Sequence, residues 1–202
     1  MEHYDIKKEY KEQYCASSKR IDAVEIPELP FIMVDGIGNP SVEEFKLKSR
    51  ILRTISKEIK ERLKQQDTTI TVAPLEGLWD TYDNSHFDVT RKQMIKFTLI
   101  MAQHPLVTEE MLNEVKEDLV SRNDNPYILD VYFKRFKEGD CVQMLHRGAY
   151  NTEINSTKQI MEYITVENMK LVGLHHEIYL NDPEKVTKED LKTIVRYAVE
   201  GV

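Results

Sequence analysis

The chain has 202 residues, with 28 basic and 35 acidic side chains, and a formal net charge of −7. A field of that sign repels phosphate backbones and disfavours binding of DNA or RNA. The N-terminus is charged without an apolar stretch, and no run approaches the roughly 18 apolar residues of a membrane span, so we expect a soluble, cytoplasmic protein without membrane contact.

The sequence carries neither a disulfide framework nor a known catalytic motif. The two cysteines, Cys15 and Cys141, have no CxxC partner and no ligand spacing, so we expect neither a disulfide nor a structural zinc ion. The motifs GxSxG, GxGxxG and HExxH are absent, as is a phosphate-binding Walker loop. We therefore expect no cofactor.

The first structural elements are a strand and a long helix. Pro27 and Pro30 precede the short apolar run 31–34, which predicts a buried strand. Ser41 and Glu44 have the spacing of a capping box, in which both side chains satisfy free amides at a helix start. Apolar residues then recur at three- and four-residue spacing, which predicts an amphipathic helix. They are Phe45, Ile51, Leu52, Ile55, Ile59 and Leu63.

The rest of the chain alternates between predicted strands and helices. Alternating apolar side chains or short apolar runs predict strands, and three-to-four-residue spacing predicts helices. Strands are expected within 70–79 and at 94–101, 129–136, 141–150, 172–180 and 192–199, and helices at 108–120 and 154–168.

The predicted elements follow the same order twice. A strand–helix–strand–strand unit occupies residues 27–104 and again 128–202, with an extra helix and strand between. Strands and helices segregated in this way are typical of an α+β domain in which an antiparallel sheet carries its helices on one face. We expect one such domain at residues 27–202, with residues 1–26 forming a polar extension packed on it.

The predicted strand 172–180 carries the most informative side chains. Side chains alternate along a strand, so His175, Glu177 and Tyr179 share one face, and the apolar residues at 172, 174, 178 and 180 share the other. The apolar set is suited to packing under the helices. The polar set indicates a pocket, although one face of an antiparallel sheet is often simply in contact with water.

Two further segments contain candidate ligand contacts. Tyr150 and Glu153 follow His146 at a predicted strand-to-helix junction, a common place for ligand contacts, although such residues also serve as caps or packing residues. Trp79 is the only tryptophan and precedes the polar loop 80–88. A single tryptophan can be part of the core or of a ligand-binding wall.

Three side chains raise the alternative of a metal site. His146, His175 and Glu177 have the residue types of a two-histidine, one-carboxylate centre. Histidine and glutamate pairs also arise on wet strand faces for many other reasons. We therefore assign no metal.

Five segments in chain order carry a combined motif. They are Pro-Phe-Ile-Met-Val-Asp-Gly at 30–36, Pro-Leu-Glu-Gly-Leu-Trp at 74–79, His-Arg-Gly-Ala-Tyr at 146–150 with Glu153, His-His-Glu-Ile-Tyr-Leu-Asn-Asp-Pro at 175–183, and Leu-Lys-Thr-Ile-Val-Arg-Tyr at 191–197. Together they resemble the GyrI-like small-molecule-binding superfamily over nearly the full chain. That superfamily includes gyrase-inhibitory proteins and the effector domains of multidrug-responsive regulators.

The resemblance implies two strand–helix–strand–strand units related by a pseudo-two-fold axis, with a ligand groove between the halves. It implies that aromatic side chains line this groove around a buried glutamate, for which Glu177 is the matching position. The residues expected to bind the ligand are Trp79, His146, Glu153, His175 and Tyr179. The expected partner is an aromatic, cationic or electrophilic small molecule, and no protein partner is indicated.

The resemblance also implies a reaction, because stand-alone members are associated with hydrolysis of cyclopropane-bearing DNA-alkylating natural products. Glu177 would deprotonate a water that attacks the strained ring. Tyr150 would hydrogen-bond the carbonyl on which negative charge develops. The alternatives are a protein that binds or sequesters drugs without chemistry and an interaction protein that modulates gyrase.

Two positions depart from the family pattern. Ala149 stands where proline is usual, which is expected to loosen the turn. Asp80 stands where a second tryptophan is common, which is expected to make the groove mouth more acidic. No helix-turn-helix segment precedes the domain in this sequence, so the role of a DNA-binding regulator is not expected.

Overall fold

The structure is a computed structural model that describes residues 3–38, 43–81 and 95–201. The chain divides into two compact units. The first comprises Met1–Glu9 and Leu29–Phe136, and the second comprises Tyr10–Glu28 and Lys137–Val202. Ser41 of the predicted capping box and most of the polar loop after Trp79 lie outside the described residues.

The described residues contain nine strands and four α-helices. The strands are β1 (His3–Tyr4), β2 (Asp22–Ile37), β3 (Thr69–Ile70), β4 (Leu75–Thr81), β5 (Ile95–Ala102), β6 (Tyr132–Arg147), β7 (Met169–Leu171), β8 (His175–Tyr179) and β9 (Lys192–Gly201). The helices are α1 (Ile6–Glu9), α2 (Glu43–Gln65), α3 (Glu109–Val120) and α4 (Ile154–Val166). None of these helices combines the length and the apolar character that crossing a membrane requires.

In the first unit, β5 lies between β2 and β4, and both pairings are antiparallel. Helix α2 packs on the sheet face that carries Phe97 and Met101, through Phe45 and Ser56. Helix α3 begins after Thr108, as predicted, because the Thr108 hydroxyl oxygen accepts a hydrogen bond from an amide of the first turn. The helix cores consist of the predicted Ile51, Leu52, Ile55, Ile59 and Leu63 in α2, with Leu112, Val115 and Leu119 in α3.

In the second unit, β9 lies between β6 and β8, and β7 pairs with the end of β9, all antiparallel. Helix α4 packs on one face of this sheet. The core there is formed by Val142, Met144, Ile160, Ile164, Val195, Tyr197 and Val199. The burial of Ile160 and Ile164 follows from their four-residue spacing, which places them on one side of the helix.

The two units have the same internal order, which confirms the predicted strand–helix–strand–strand repeat and the α+β class. Val34 pairs with Leu99 in the first unit, and Met144 pairs with Val195 in the second. The third strand adds Gly77 beside Leu99 and Glu177 beside Val195. Glu177 thus occupies the position that Gly77 occupies in the first unit.

The predicted strands at 129–136 and 141–150 form one continuous strand, β6. Gly139 within it has a φ of +78°, a backbone conformation that glycine adopts without steric cost. The chain can therefore bend at this glycine and continue as a strand, where the sequence pattern indicated a break.

Glu12 and Gln13 contact the face of the second unit that lies away from α4. The side-chain amide of Gln143 donates to the Glu12 carbonyl at 2.8 Å, and the Arg196 guanidinium donates to the Gln13 carbonyl. Beneath this segment, Glu138 accepts from Arg196 at 3.2 Å and lies 3.0 Å from His176 Nδ1. Buried charges on this face are therefore paired with one another.

Candidate functional site

The centre of the candidate site is the buried imidazole of His175 in β8. Its Nε2 lies 3.1 Å from Oε1 of Glu153 and 3.0 Å from Oε1 of Glu177. Its Nδ1 is hydrogen-bonded to the hydroxyl of Tyr197. Both ring nitrogens are therefore engaged, and one imidazole links two carboxyl groups and a phenol.

Three elements of the second unit bring these groups together. His175 and Glu177 share a face of β8 because side chains alternate along a strand. Tyr197 comes from the neighbouring strand β9. Glu153 immediately precedes α4, and the chain reaches it through Gly148, whose φ of +119° ends β6 in a turn that favours glycine.

The site lies on the sheet face that packs against α4, which corrects the prediction. Glu177 pairs across the sheet with Val195, a member of the core under α4. Val172 and Leu174, predicted to pack under a helix, are exposed, and Ile178 is buried on the opposite face. Strand alternation separates the two sets of side chains without indicating which set the helix covers. The polar set tolerates burial because its members hydrogen-bond one another.

Burial shifts the proton affinities within the site. Burial, and then the charge of Glu177, raise the pKa of Glu153 to about 7, against the opposing hydrogen bond with His175. Burial by itself would lower the pKa of His175, but the hydrogen bonds with Glu153 and Glu177 raise it well above its usual value. At neutral pH the imidazole is therefore protonated and stabilises negative charge between the two carboxyl groups.

The two oxygens of Glu153 differ in their surroundings. Oε1 contacts His175, whereas Oε2 is buried and has no hydrogen-bond partner among the described residues. Leaving a buried carboxylate oxygen without a donor costs free energy, and protonation of that carboxyl group relieves the cost.

Tyr150 and Tyr179 form an aromatic edge beside Glu177. Their ring centroids are 5.9 Å apart and their planes are inclined at 85°, the edge-to-face arrangement that aromatic pairs prefer. Tyr150 is 41% exposed. Burial, and then the charge and hydrogen bond of Glu177, raise the pKa of Tyr179 well above its usual value. The Tyr179 hydroxyl therefore stays protonated and donates to Glu177.

His146 holds the turn between β6 and α4. Its Nδ1 lies 3.0 Å from Ser156 Oγ, and its Nε2 lies 3.2 Å from the Ala149 carbonyl and 3.2 Å from Thr152 Oγ1. Ala149 has a φ of −66°, the value that proline would impose at this position. These hydrogen bonds keep the turn in the conformation that carries Tyr150 and Glu153. The predicted contact of His146 with a ligand stays a prediction.

Trp79 lies in the first unit and is buried. Its ring stacks on Phe45 at a centroid distance of 6.0 Å and lies 5.5 Å from Phe97. By strand register it occupies the position that Tyr179 occupies in the second unit. This face of the first unit is thus filled by aromatic rings, and the predicted ligand contact of Trp79 also stays a prediction.

Sequence reasoning did not single out Tyr197. The residue alternates with Val195 and Val199 along β9, all three in the core under α4. A phenol in a row of β-branched core residues needs a buried hydrogen-bond partner. That requirement could have indicated from the sequence that Tyr197 belongs to the site. Its partner, His175, is 22 residues away in the sequence.

Donor atoms of Glu153, His175 and Glu177 lie within 4.8 Å of one another, a spacing also compatible with an ion. This trio differs from the histidine-rich set considered from the sequence, because Glu153 replaces His146. The separations of 3.0 and 3.1 Å are ordinary hydrogen-bond distances, and a proton on Nε2 accounts for both. We therefore interpret the three groups as a hydrogen-bonded triad.

Comparison with known protein families identifies the family of this chain. Residues 20–199 match the GyrI-like small molecule binding domain. The chain therefore belongs to the GyrI-like family, as its five sequence segments predicted.

Solved structures agree with this assignment. An uncharacterized conserved protein from Listeria innocua is 33% identical with a TM-score of 0.89, over 97% of this chain and 99% of that chain. A hydrolase from Listeria innocua is 31% identical with a TM-score of 0.85, over 97% of this chain and 99% of that chain. The EcmrR C-terminal domain, 15% identical with a TM-score of 0.59 over 91% and 98% of the chains, shares the fold. A search of curated proteins gave no match.

Proposed function

We propose that this protein is a hydrolase that adds water to the strained ring of cyclopropane-bearing electrophiles. Two findings support a reaction on a bound small molecule. The family is a small-molecule-binding one, and relatives from Listeria innocua that are 31% identical over nearly their full length are described as hydrolases. The proposal extends that description to a substrate class that is aromatic and electrophilic.

The observation that carries the proposal is the hydrogen bonding of Glu177. Its carboxylate accepts from the imidazole of His175 at 3.0 Å and from the Tyr179 hydroxyl, so two donors hold it in one orientation. Its side chain is 12% exposed, so a water molecule or a ligand atom can reach it. A carboxylate that is held in place by hydrogen bonds and is reachable by water has the geometry that a general base needs.

Tyr150 supplies the second part of the proposed chemistry. When water attacks a cyclopropane conjugated to a carbonyl group, the broken carbon–carbon bond leaves its electron pair on the carbonyl oxygen. The phenol of Tyr150 would donate a hydrogen bond to that oxygen, and such donors contribute most where charge develops. The exposed ring of Tyr150 also offers an aromatic surface on which a planar ligand can rest.

Turnover of a spirocyclopropyl cyclohexadienone tests the proposal. Such a compound gives a ring-opened phenol on hydrolysis, which liquid chromatography with mass spectrometry separates from the substrate. We expect the wild-type protein to form this product and to incorporate one oxygen from H₂¹⁸O. Glu177→Gln should lower kcat by about 10²–10⁴-fold, as the loss of a general base does.

The matched control is Glu162→Gln, which removes the same charge from an exposed position on α4. It should keep wild-type turnover. Undiminished water addition by Glu177→Gln would exclude Glu177 as the base. Absence of turnover by the wild-type protein would exclude the hydrolase function.

The second candidate function is binding of the same ligands without chemistry. The family description favours it, because that description names binding alone. Saturable binding by isothermal titration calorimetry, with the spirocyclopropyl compound recovered unchanged, would support sequestration in place of hydrolysis.

A further inference from the structure

We propose that Glu153 is the acid of this reaction, delivering its proton to the substrate oxygen on which negative charge develops, and that His175 then restores both carboxyl groups. This inference rests on the proposed hydrolase function and assigns a second catalytic residue within it. Glu153 is expected from the sequence only to contact the ligand.

The two carboxyl groups have different hydrogen bonds, and the difference determines where a proton resides. Glu177 accepts from His175 and from Tyr179. Glu153 accepts from His175, and its other hydrogen bond is the one it shares with Glu177, which raises its pKa; its buried Oε2 accepts from no donor group of the described residues. Two carboxyl groups this close cannot both ionise without a large repulsion. The one with fewer donors keeps the proton, and that residue is Glu153.

Burial supports the same assignment. The side chain of Glu153 is 8% exposed and that of Glu177 is 12% exposed. The more buried carboxyl group pays the larger desolvation cost when it ionises, which is reflected in a pKa of about 7 for Glu153. A group with a pKa near the working pH can donate and regain a proton in each cycle.

The proposed step balances in atoms and charge. A water proton passes to Glu177 while the water oxygen forms a bond to a ring carbon. The carbon–carbon bond of the cyclopropane breaks, and its electron pair moves through the conjugated system to the carbonyl oxygen, which takes the proton of Glu153. Glu177 is then protonated and Glu153 is ionised.

His175 can reverse this exchange because one nitrogen faces both carboxyl groups. Its Nε2 proton passes to Glu153 at 3.1 Å, and the proton on Glu177 moves to Nε2 at 3.0 Å. The net change is the addition of one water molecule to the substrate. Tyr197 is a positioning residue in this scheme, because its bond to Nδ1 fixes the orientation of the imidazole.

The pH dependence of turnover by Glu153→Gln and by the wild type tests the inference. Glu153 acts only when protonated, so wild-type kcat should fall as the pH rises above about 7. Glutamine donates a hydrogen bond but no proton, so Glu153→Gln should lose about 10²–10⁴-fold in kcat and lose the alkaline decline. The Kd of the ring-opened phenol, measured by calorimetry, should stay within about threefold of the wild-type value, because glutamine keeps the shape of the site.

Glu153→Asp is the control for a folding defect in Glu153→Gln, because aspartate keeps a carboxyl group that can donate a proton. It should retain the alkaline decline at reduced kcat. Wild-type kcat in Glu153→Gln, or reduced kcat with an unchanged alkaline decline, would overturn the assignment of Glu153 while leaving the hydrolase function intact. Absence of turnover by the wild-type protein would instead reject the hydrolase function and this inference with it.

Discussion

Glu153 and Glu177 share one hydrogen-bond partner, the Nε2 atom of His175, at 3.1 and 3.0 Å. Two carboxyl groups buried this close together under a helix repel each other if both are ionised. The protonated imidazole of His175 and a proton kept on one carboxyl group offset that repulsion. The same arrangement distinguishes the two carboxyl groups by their remaining donors, so one is suited to be a base and the other an acid. Sites of this kind commonly lower stability in favour of function.

Glu153→Gln is predicted to raise stability at alkaline pH. The folded-state pKa of Glu153, about 7, lies above its ordinary value of 4.5, so its contribution to stability is fully present below about pH 4.5 and is lost as the pH rises through 7. Glutamine removes that loss. Urea unfolding near pH 8.5 should show the variant more stable than wild type by roughly 3 kcal/mol, with little difference near pH 5. An equal difference at both pH values would contradict a proton on Glu153.

Glu138→Gln is predicted to destabilise the second unit. Burial would raise the pKa of Glu138, but His176 and Arg196 lower it to about 2. The stabilisation is therefore present above the ordinary pKa of 4.5 and is lost as the pH falls towards 2. Removal of the carboxylate takes away the negative charge paired with the buried guanidinium of Arg196 and the oxygens that contact His176, and should cost about 3–5 kcal/mol in urea unfolding at neutral pH.

The control for this prediction is Glu25→Gln. Glu25 lies 3.9 Å from Lys137, and both side chains are mostly exposed, so its loss should change the unfolding free energy by less than about 0.5 kcal/mol. A similar effect of both variants would show that the Glu138 ion pairs contribute no more than surface pairs do.

Gly36→Ala is predicted to disturb the aromatic packing of the first unit. A Cβ atom at Gly36 would lie 2.1 Å from Cζ of Phe97, too close for any side chain. The expected cost is about 1–3 kcal/mol of unfolding free energy, and Phe97→Leu in the same chain should recover part of it by making room. Gly201→Ala meets no atom within 4 Å and is the matched control. Equal stability of Gly36→Ala and Gly201→Ala would refute the close packing of Phe97.

Tyr150 is predicted to act through its ring in binding and through its hydroxyl in turnover. Tyr150→Ala should weaken binding of the ring-opened phenol by about tenfold, because it removes an aromatic contact. Tyr150→Phe should keep that binding and lower kcat by about 10²–10³-fold, as loss of a donor to a developing charge does. Calorimetry and steady-state kinetics separate the two effects. Equal kcat in Tyr150→Phe and wild type would remove the hydroxyl from the mechanism.

Much of the second unit could be predicted from local pattern. Alternation along 172–180 correctly placed His175, Glu177 and Tyr179 on one face, since neighbouring side chains of a strand must point to opposite sides. The helices at 108–120 and 154–168 followed from apolar residues at three- and four-residue spacing, whereas the cap at Thr108 is seen only in the structure. These features depend on interactions between residues a few positions apart.

Other features depended on contacts between distant residues. The sequence by itself determined the α+β class, the family and the polar face of β8, because backbone geometry and side-chain periodicity are local. Only the tertiary structure decided that α4 covers this face and that Glu153 and Tyr197 both contact His175, each 22 residues away. Those contacts follow from the pairing register of β8 and β9 and from the turn before α4, which the packing of the whole unit selects.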